Sequence, residues 1–211
     1  MALSTAQRYP LMAITQNSGP LPHVIQVKRL CDAGVKWIQL RMKDTPYQLW
    51  LDTAREASKI CKDSGTIFIV NDSVEIALEV DADGVHLGRT DLEWREARRL
   101  IGPDKILGGT VNYIHEAQKA VQAECMDYVG VGPLRFTQTK KELAPLQGYE
   151  GIRQLIQNLH TIPAWAIGGI EVSDVALCRD LGAAGTAVCS ALLRNDRINE
   201  NVNRFLEAWP F

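Results

Sequence analysis

Gln39, Arg41 and Lys43 stand two residues apart in the segment Ile38-Gln39-Leu40-Arg41-Met42-Lys43-Asp44. In an extended strand that spacing turns all three to one side. Two cations and an amide on one face of an otherwise apolar strand are costly to bury unless an anion meets them. On this segment alone a second reading stays open, a strand end whose charges reach solvent or pair with nearby carboxylates. Other polar groups follow apolar runs farther along: Asn71-Asp72, His86 and Gly88 with Asp91, Thr110 and Asn112, Thr137-Gln138-Thr139-Lys140, Gly168-Gly169 and Cys189-Ser190. Arg41, Lys43 and Lys140 can neutralise negative charge, and Asn71, Thr137 and Thr139 can donate hydrogen bonds. Asp72 and Asp91 are hard oxygen ligands suited to Mg²⁺, which keeps waters and binds substrate phosphates. The combination points to a magnesium–polyphosphate substrate. Gly168-Gly169, with the backbone at Cys189-Ser190, fits a second site for a monophosphate.

Each residue also has a plainer reading. Asp72 could cap a helix entered at Ser73. Asp91 sits where the first turn of a helix is expected, and an acid is favoured there by the dipole. Gly168-Gly169 could be a tight turn. His86 reads as a core or rim histidine, His115 as a first-turn helix residue, and His23 and His160 as surface residues. Met12, Met42 and Met126 read as packing, and the five tryptophans have no regular spacing.

The elements that position these groups alternate from end to end. Strands are expected at 11–14, 35–40, 66–70, 84–87, 106–110, 128–132, 164–167 and 186–189. Helical spacing follows each one, as in Val24, Val27 and Cys31, or Trp50, Ala54, Ala57 and Cys61. Gly34 and Gly65 stop the first two helices. Helices are also expected near 73–78, 172–181 and 202–209, and Thr90-Asp91-Leu92-Glu93 has the spacing of a capping box. Eight βα units in 211 residues make a (β/α)8 TIM barrel the leading fold, as a single domain over 1–211. A doubly wound open sheet is the runner-up, and the first strand lacks its glycine fingerprint. In a barrel the polar groups named above gather at one rim, the C-terminal ends of the strands. The longest irregular segment, 133–148, is the expected active-site loop.

Composition narrows the class. Hydrophobic residues make up 46% of the chain, a globular value, and the formal net charge is -2, which gives no general pull toward nucleic acid or anionic membrane. Small-molecule partners are therefore expected, and a homo-oligomer is compatible with the chain. Five scattered cysteines form no CxxC pair, so a reducing cytoplasm is expected rather than a disulfide framework or zinc knuckle. No run spans a bilayer, and no secretory signal is visible at 1–9.

With these residues in view, the chain resembles the thiamine-phosphate synthase (thiamine-phosphate pyrophosphorylase) family from about Tyr9 to Leu192. The carrying segments are Gln39-Leu40-Arg41-Met42-Lys43, Val70-Asn71-Asp72, Gly84-Val85-His86-Leu87-Gly88 with Asp91, Gly132-Pro133 leading to Thr137-Gln138-Thr139-Lys140, Gln147-Gly148, and Ala166-Ile167-Gly168-Gly169-Ile170. The resemblance implies the barrel and a transferase in thiamine biosynthesis. Such an enzyme joins 4-amino-2-methyl-5-hydroxymethylpyrimidine diphosphate to 4-methyl-5-(2-phosphoethyl)thiazole, releasing thiamine phosphate and pyrophosphate by a dissociative mechanism. It implies pyrophosphate contacts at Arg41, Lys43, Asn71 and Lys140, with Mg²⁺ at Asp72 and Asp91. Gln39 would lie against the pyrimidine, and Thr110, usually serine in the family, would face the leaving group. Thr137, Thr139, Gly169 and the Cys189-Ser190 backbone would meet the thiazole phosphate and its surroundings.

The chain departs from the family pattern at Asn112, where many relatives have histidine, and at Leu134-Arg135-Phe136, which replaces a proline-containing approach. Arg135 is an added cation that could serve the thiazole phosphate. Two other functions stay open. A thiazole tautomerase shares the barrel and phosphate cradle, but relies on a histidine where this chain has Pro133 and has no need of the metal–pyrophosphate set. A non-catalytic regulatory protein binding a thiamine precursor would have little reason for two metal-ligand carboxylates.

Overall fold

The computed structural model describes residues 9–136 and 145–209. Its strands are β1 (Leu11–Ile14), β2 (Trp37–Leu40), β3 (Ile67–Asn71), β4 (Gly84–Leu87), β5 (Ile106–Val111), β6 (Tyr128–Val131), β7 (Ala164–Ile167) and β8 (Gly185–Val188). They close in sequence order into one parallel barrel, with β8 returning to β1. Helices lie between successive strands, so the expected (β/α)8 architecture is what forms.

Alternation along each strand sorts the side chains into two cores. Leu11, Ala13, Ile38, Leu40, Val70, Val85, Leu107, Val129 and Ala166 face outward and pack with the helices. Met12, Ile14, Trp37, Ile69, Ile106, Tyr128, Trp165 and Ala187 form a separate inner cluster. The lower interior is an aromatic plug. Trp37 meets Tyr128 and Trp165 edge-on, with ring centroids 5.0 and 4.8 Å apart, an arrangement favoured by the ring quadrupoles. Glycines on neighbouring strands make room for it. A Cβ on Gly108 would lie 2.2 Å from the Tyr128 ring, and one on Gly185 2.2 Å from the Trp165 indole nitrogen. Two of the irregularly spaced tryptophans thus close the barrel floor, leaving the upper end free for polar residues.

The helices begin and end for identifiable reasons. The helix His23–Asp32 stops at Gly34, whose φ of +91° a side chain would resist. Gly34 N–H donates to Cys31 O and Val35 N–H to Leu30 O, the paired bonds of a Schellman ending. The helix Tyr47–Asp63 buries Leu51, Ala54, Ala57 and Cys61, one face at helical spacing.

Several boundaries differ from expectation. β2 ends at Leu40 as expected but begins at Trp37 rather than at 35, and Arg41 and Lys43 lie in the loop that follows it. The fourth-strand helix starts at Trp94 rather than at 90–93, because the Glu93 carboxylate accepts from Arg95 N–H and Glu96 N–H. The segment after β7 splits into a 3₁₀ turn, Val172–Asp174, and a helix, Val175–Asp180. A short helix, Ser190–Leu193, follows β8 directly, and the last helix begins at Ile198. His23 is half-buried and hydrogen-bonds Thr15 Oγ1 at 2.8 Å, instead of standing free at the surface.

Candidate active site

Each strand contributes an inward residue to the floor of one cleft at the C-terminal end of the barrel: Ile14, Gln39, Asn71, His86, Thr110, Gly130, Ile167 and Ala187. Register sets them side by side in pairs, Ile14 by Gln39, Asn71 by His86, Thr110 by Gly130 and Ile167 by Ala187. The loops above add Arg41, Lys43, Asp72, Asp91, Asn112, Gly168, Gly169 and Cys189, and the short helix after β8 adds Ser190. Every expected site residue within the described part of the chain therefore lines the same cleft. Thr137, Thr139 and Lys140 lie outside the described residues.

On one side the cleft is charged. Asp72 has a φ of +71°, a left-handed conformation that aspartate tolerates better than most residues. It does not cap the next helix; Ser73 does, accepting from Ile76 N–H at 3.1 Å. The Asp72 carboxylate instead pairs with Lys43 Nζ. Asp91 is likewise outside any helix. Its Oδ2 accepts from Gly88 N–H at 2.6 Å, folding the end of β4 back on itself. Burial, then the charge and hydrogen bond of Asp72, hold the Asp91 carboxyl above its usual range, against the opposing pull of Gly88 N–H and Lys43. The two carboxylates are thus neighbours that repel. Among the described residues no group of three or more His, Cys, Asp or Glu side chains gathers, so protein ligands for a metal here come to two carboxylates.

Beneath these charges is a polar floor. Asn71 is 5% exposed, yet its side-chain amide has no hydrogen-bond partner among the described residues. Gln39, 2% exposed, reaches Met12 Sδ at 3.7 Å and the Tyr128 hydroxyl. His86 shares hydrogen bonds with Tyr128 OH through Nδ1 and with Thr110 Oγ1 through Nε2, each 3.0 Å. His86 is the rim histidine the sequence indicated, and its bond to Thr110 fixes that hydroxyl at the floor.

Across the cleft, backbone dominates. Gly168 and Gly169 have φ of +94° and +66°, and a Cβ on Gly168 would stand 2.5 Å from Pro133 Cβ. The turn is tied to the segment after β6, with Arg135 N–H donating to Gly168 O at 3.0 Å and Arg135 Nη1 to Gly169 O at 3.2 Å. Arg135 is not a spare cation. Its guanidinium grips both oxygens of Asp174, which is 1% exposed and also accepts from Tyr149 OH and Glu171 N–H. Sequence reasoning missed this brace, since 39 residues separate Arg135 from Asp174 and nothing local announces the pair. Asn112 is pinned by its own Nδ2 on Gly132 O, by its N–H on Glu116 Oε2, and by Gln147 Nε2 on its carbonyl. Burial pushes the Cys189 thiol up to about 12, so it presents a neutral thiol and backbone to the cleft.

Residues 11–192 match the family model described as thiamine monophosphate synthase. The chain belongs to the thiamine monophosphate synthase family. Relatives support this over nearly the full length. The thiamine-phosphate synthase of Phocaeicola vulgatus is 39% identical over 192 residues, covering 87% of this chain and 90% of that one. That of Flavobacterium psychrophilum is 35% identical, covering 88% and 92%. Among solved structures, a thiamine phosphate pyrophosphorylase from Pyrococcus furiosus superposes with a TM-score of 0.86 at 29% identity, covering 97% of this chain and 96% of that one. Family, relatives and structural neighbour agree on a synthase, a transferase enzyme. Among the described residues no helix is long and apolar enough to cross a membrane.

Proposed function

We propose that the cleft condenses 4-amino-2-methyl-5-hydroxymethylpyrimidine diphosphate with 4-methyl-5-(2-phosphoethyl)thiazole, yielding thiamine phosphate and pyrophosphate. The observation that carries this reading is the Asn71 amide, which lines the cleft beside the Asp72–Asp91 pair and has no protein partner among the described residues. The amide opens into the cleft, so a phosphate oxygen can accept from it without any protein hydrogen bond being broken. The repelling carboxylates fit a divalent cation, and an all-oxygen pair suits Mg²⁺, with waters and phosphate oxygens completing its shell. Bound there by Asp72 and Asp91, Mg²⁺ would neutralise charge on the diphosphate.

We assign the remaining roles from position and from the family match. Arg41, which has no side-chain hydrogen bond or ion pair among the described residues, and Lys43 meet the charge that grows on departing pyrophosphate; Lys140 joins them by its family match. Thr110, held by His86, faces the leaving group, and Gln39 lies against the pyrimidine. Gly169 and the Cys189-Ser190 backbone cradle the thiazole phosphate, and Thr137 and Thr139 are assigned to the same phosphate by their family match alone. The carbon–oxygen bond breaks first, its electron pair leaving with pyrophosphate. The pyrimidine stabilises the resulting cation, and the thiazole nitrogen captures it. The protein needs no nucleophile of its own, only positioning and preorganised charge. Five free thiols fit a reducing compartment, and we assign the reaction to the cytoplasm.

The test is turnover. Purified protein with Mg²⁺ and both substrates is expected to release thiamine phosphate and pyrophosphate in equal amounts. Thiazole isomerisation without coupled product would overturn the reading in favour of a tautomerase.

A further inference from the structure

Arg89 lines the cleft and is exposed, yet its guanidinium makes no hydrogen bond or ion pair with any described residue. Two carboxylates line the same cleft, so the missing ion pair calls for a physical reason. Lys43 is already held by Asp72, and the Asp91 Oδ2 is turned onto Gly88 N–H. The backbone that carries Arg89 is fixed. The turn from Gly88 to Asp91 is closed by Gly88 N–H to Asp91 Oδ2 at 2.6 Å and by Asp91 N–H to Gly88 O at 3.4 Å. Arg89 therefore projects from the tip of a pinned turn, with only its side chain free to move.

We infer that Arg89 is a further diphosphate-binding residue, closing on the terminal phosphate of the pyrimidine diphosphate and staying with pyrophosphate as it departs. This rests on the synthase reading above. A guanidinium offers a planar fork of donors that matches two phosphate oxygens at once, which an ammonium does not. The terminal phosphate lies farthest from the bond that breaks, and Arg89 approaches from the exposed edge of the cleft. Its strand, β4, pairs with β3, which carries Asn71 and leads into Asp72, so it serves the diphosphate half. The monophosphate cradle comes from β7 and β8, across the barrel. A side chain with no partner among the described residues costs little to recruit, since no existing bond is broken.

Isothermal titration calorimetry of the full chain with inorganic pyrophosphate and Mg²⁺ tests this. Arg89→Ala is expected to weaken pyrophosphate binding about tenfold, with Arg89→Lys between it and the wild type because it keeps charge and loses the fork. The melting temperature of both variants should match the wild type, since no internal contact is removed. Equal affinity in wild type and Arg89→Ala would overturn the inference, as would a fall in melting temperature large enough to mark Arg89 as structural. A loss confined to inorganic phosphate would also overturn it, assigning Arg89 to the acceptor side. Wild-type protein that binds no pyrophosphate would instead overturn the synthase reading, and this inference with it.

Discussion

Asp174→Asn should loosen one half of the site and spare the other. The carboxylate is 1% exposed and accepts from Arg135 at both oxygens, from Tyr149 OH at 2.5 Å and from Glu171 N–H at 2.8 Å. Asparagine keeps one acceptor oxygen and turns an NH₂ group toward donors. A hydrogen bond to a charged group contributes about 1.5–3 kcal/mol. The Arg135 side chain is 45% exposed and regains water when released, so its share is discounted. A net loss of about 2 kcal/mol remains, which in a chain of this size lowers the melting temperature by about 4–8 °C. The pH dependence has a definite sign. Burial alone would raise the Asp174 carboxyl, but the Arg135, Tyr149 and Glu171 donors outweigh it and hold the group below its usual range. A carboxyl lowered on folding adds stability that is full above its unfolded value of about 3.9 and is lost as pH falls through the folded value. The gap between wild type and variant should be constant near neutrality and close in acid. Because Arg135 also donates to Gly169 O, the Michaelis constant for thiazole phosphate should rise while that for pyrimidine diphosphate holds. Thermal melts across pH, with initial rates for each substrate in turn, measure both effects. An unchanged melting temperature, or a loss falling on the pyrimidine diphosphate, would refute the argument.

Three further outcomes are expected. Asp72→Asn and Asp91→Asn should each abolish the rise in melting temperature on adding Mg²⁺, about 2.7 kcal/mol at a hundredfold excess over Kd. Removing one of two repelling charges should leave the metal-free melting temperature undiminished for Asp91→Asn, and a persistent Mg²⁺ shift in both variants would disprove their role as ligands. Arg41→Ala should slow single-turnover release of pyrophosphate about 10²–10³-fold with little change in melting temperature, and a wild-type rate would remove it from the leaving-group set. Gly169→Val forces a branched residue to φ +66° with its Cβ 3.0 Å from Arg135 Cβ. Beyond about 1–2 kcal/mol of backbone strain, it should weaken acceptor binding while calorimetry finds pyrophosphate affinity retained.

The barrel was legible because its signals are local. Eight apolar runs, each followed by helical spacing, and glycines such as Gly34 ending helices depend on neighbours a few residues apart. The polar residues of the rim were legible for the same reason, since strand direction alone sends Gln39, Asn71 and Thr110 to one end of the barrel. Their packing was less so. The 90–93 segment has capping-box spacing, yet Glu93 caps the helix, and Asp91 is left to face Asp72 and close its own turn. Local spacing offered Asp72 a cap and Asp91 a place in a first turn; the neighbours Ser73 and Glu93 took the caps, and Asp72 pairs with the distant Lys43.

What the sequence by itself determined is the order of strands and helices, the rim on which chemistry gathers, and the residue types available there. Periodicity and turn residues act over short stretches, and a closed parallel barrel follows from their repetition. Only the tertiary structure decided which of those residues are committed to one another and which are left for a ligand. Arg135 looked like a spare cation and is bound by Asp174, whereas Arg89 drew no notice and stands unpaired among the described residues. The physical reason is range. An ion pair, or an amide left facing the cleft without a protein partner, depends on groups brought together from distant strands, and no local pattern records who the neighbour will be.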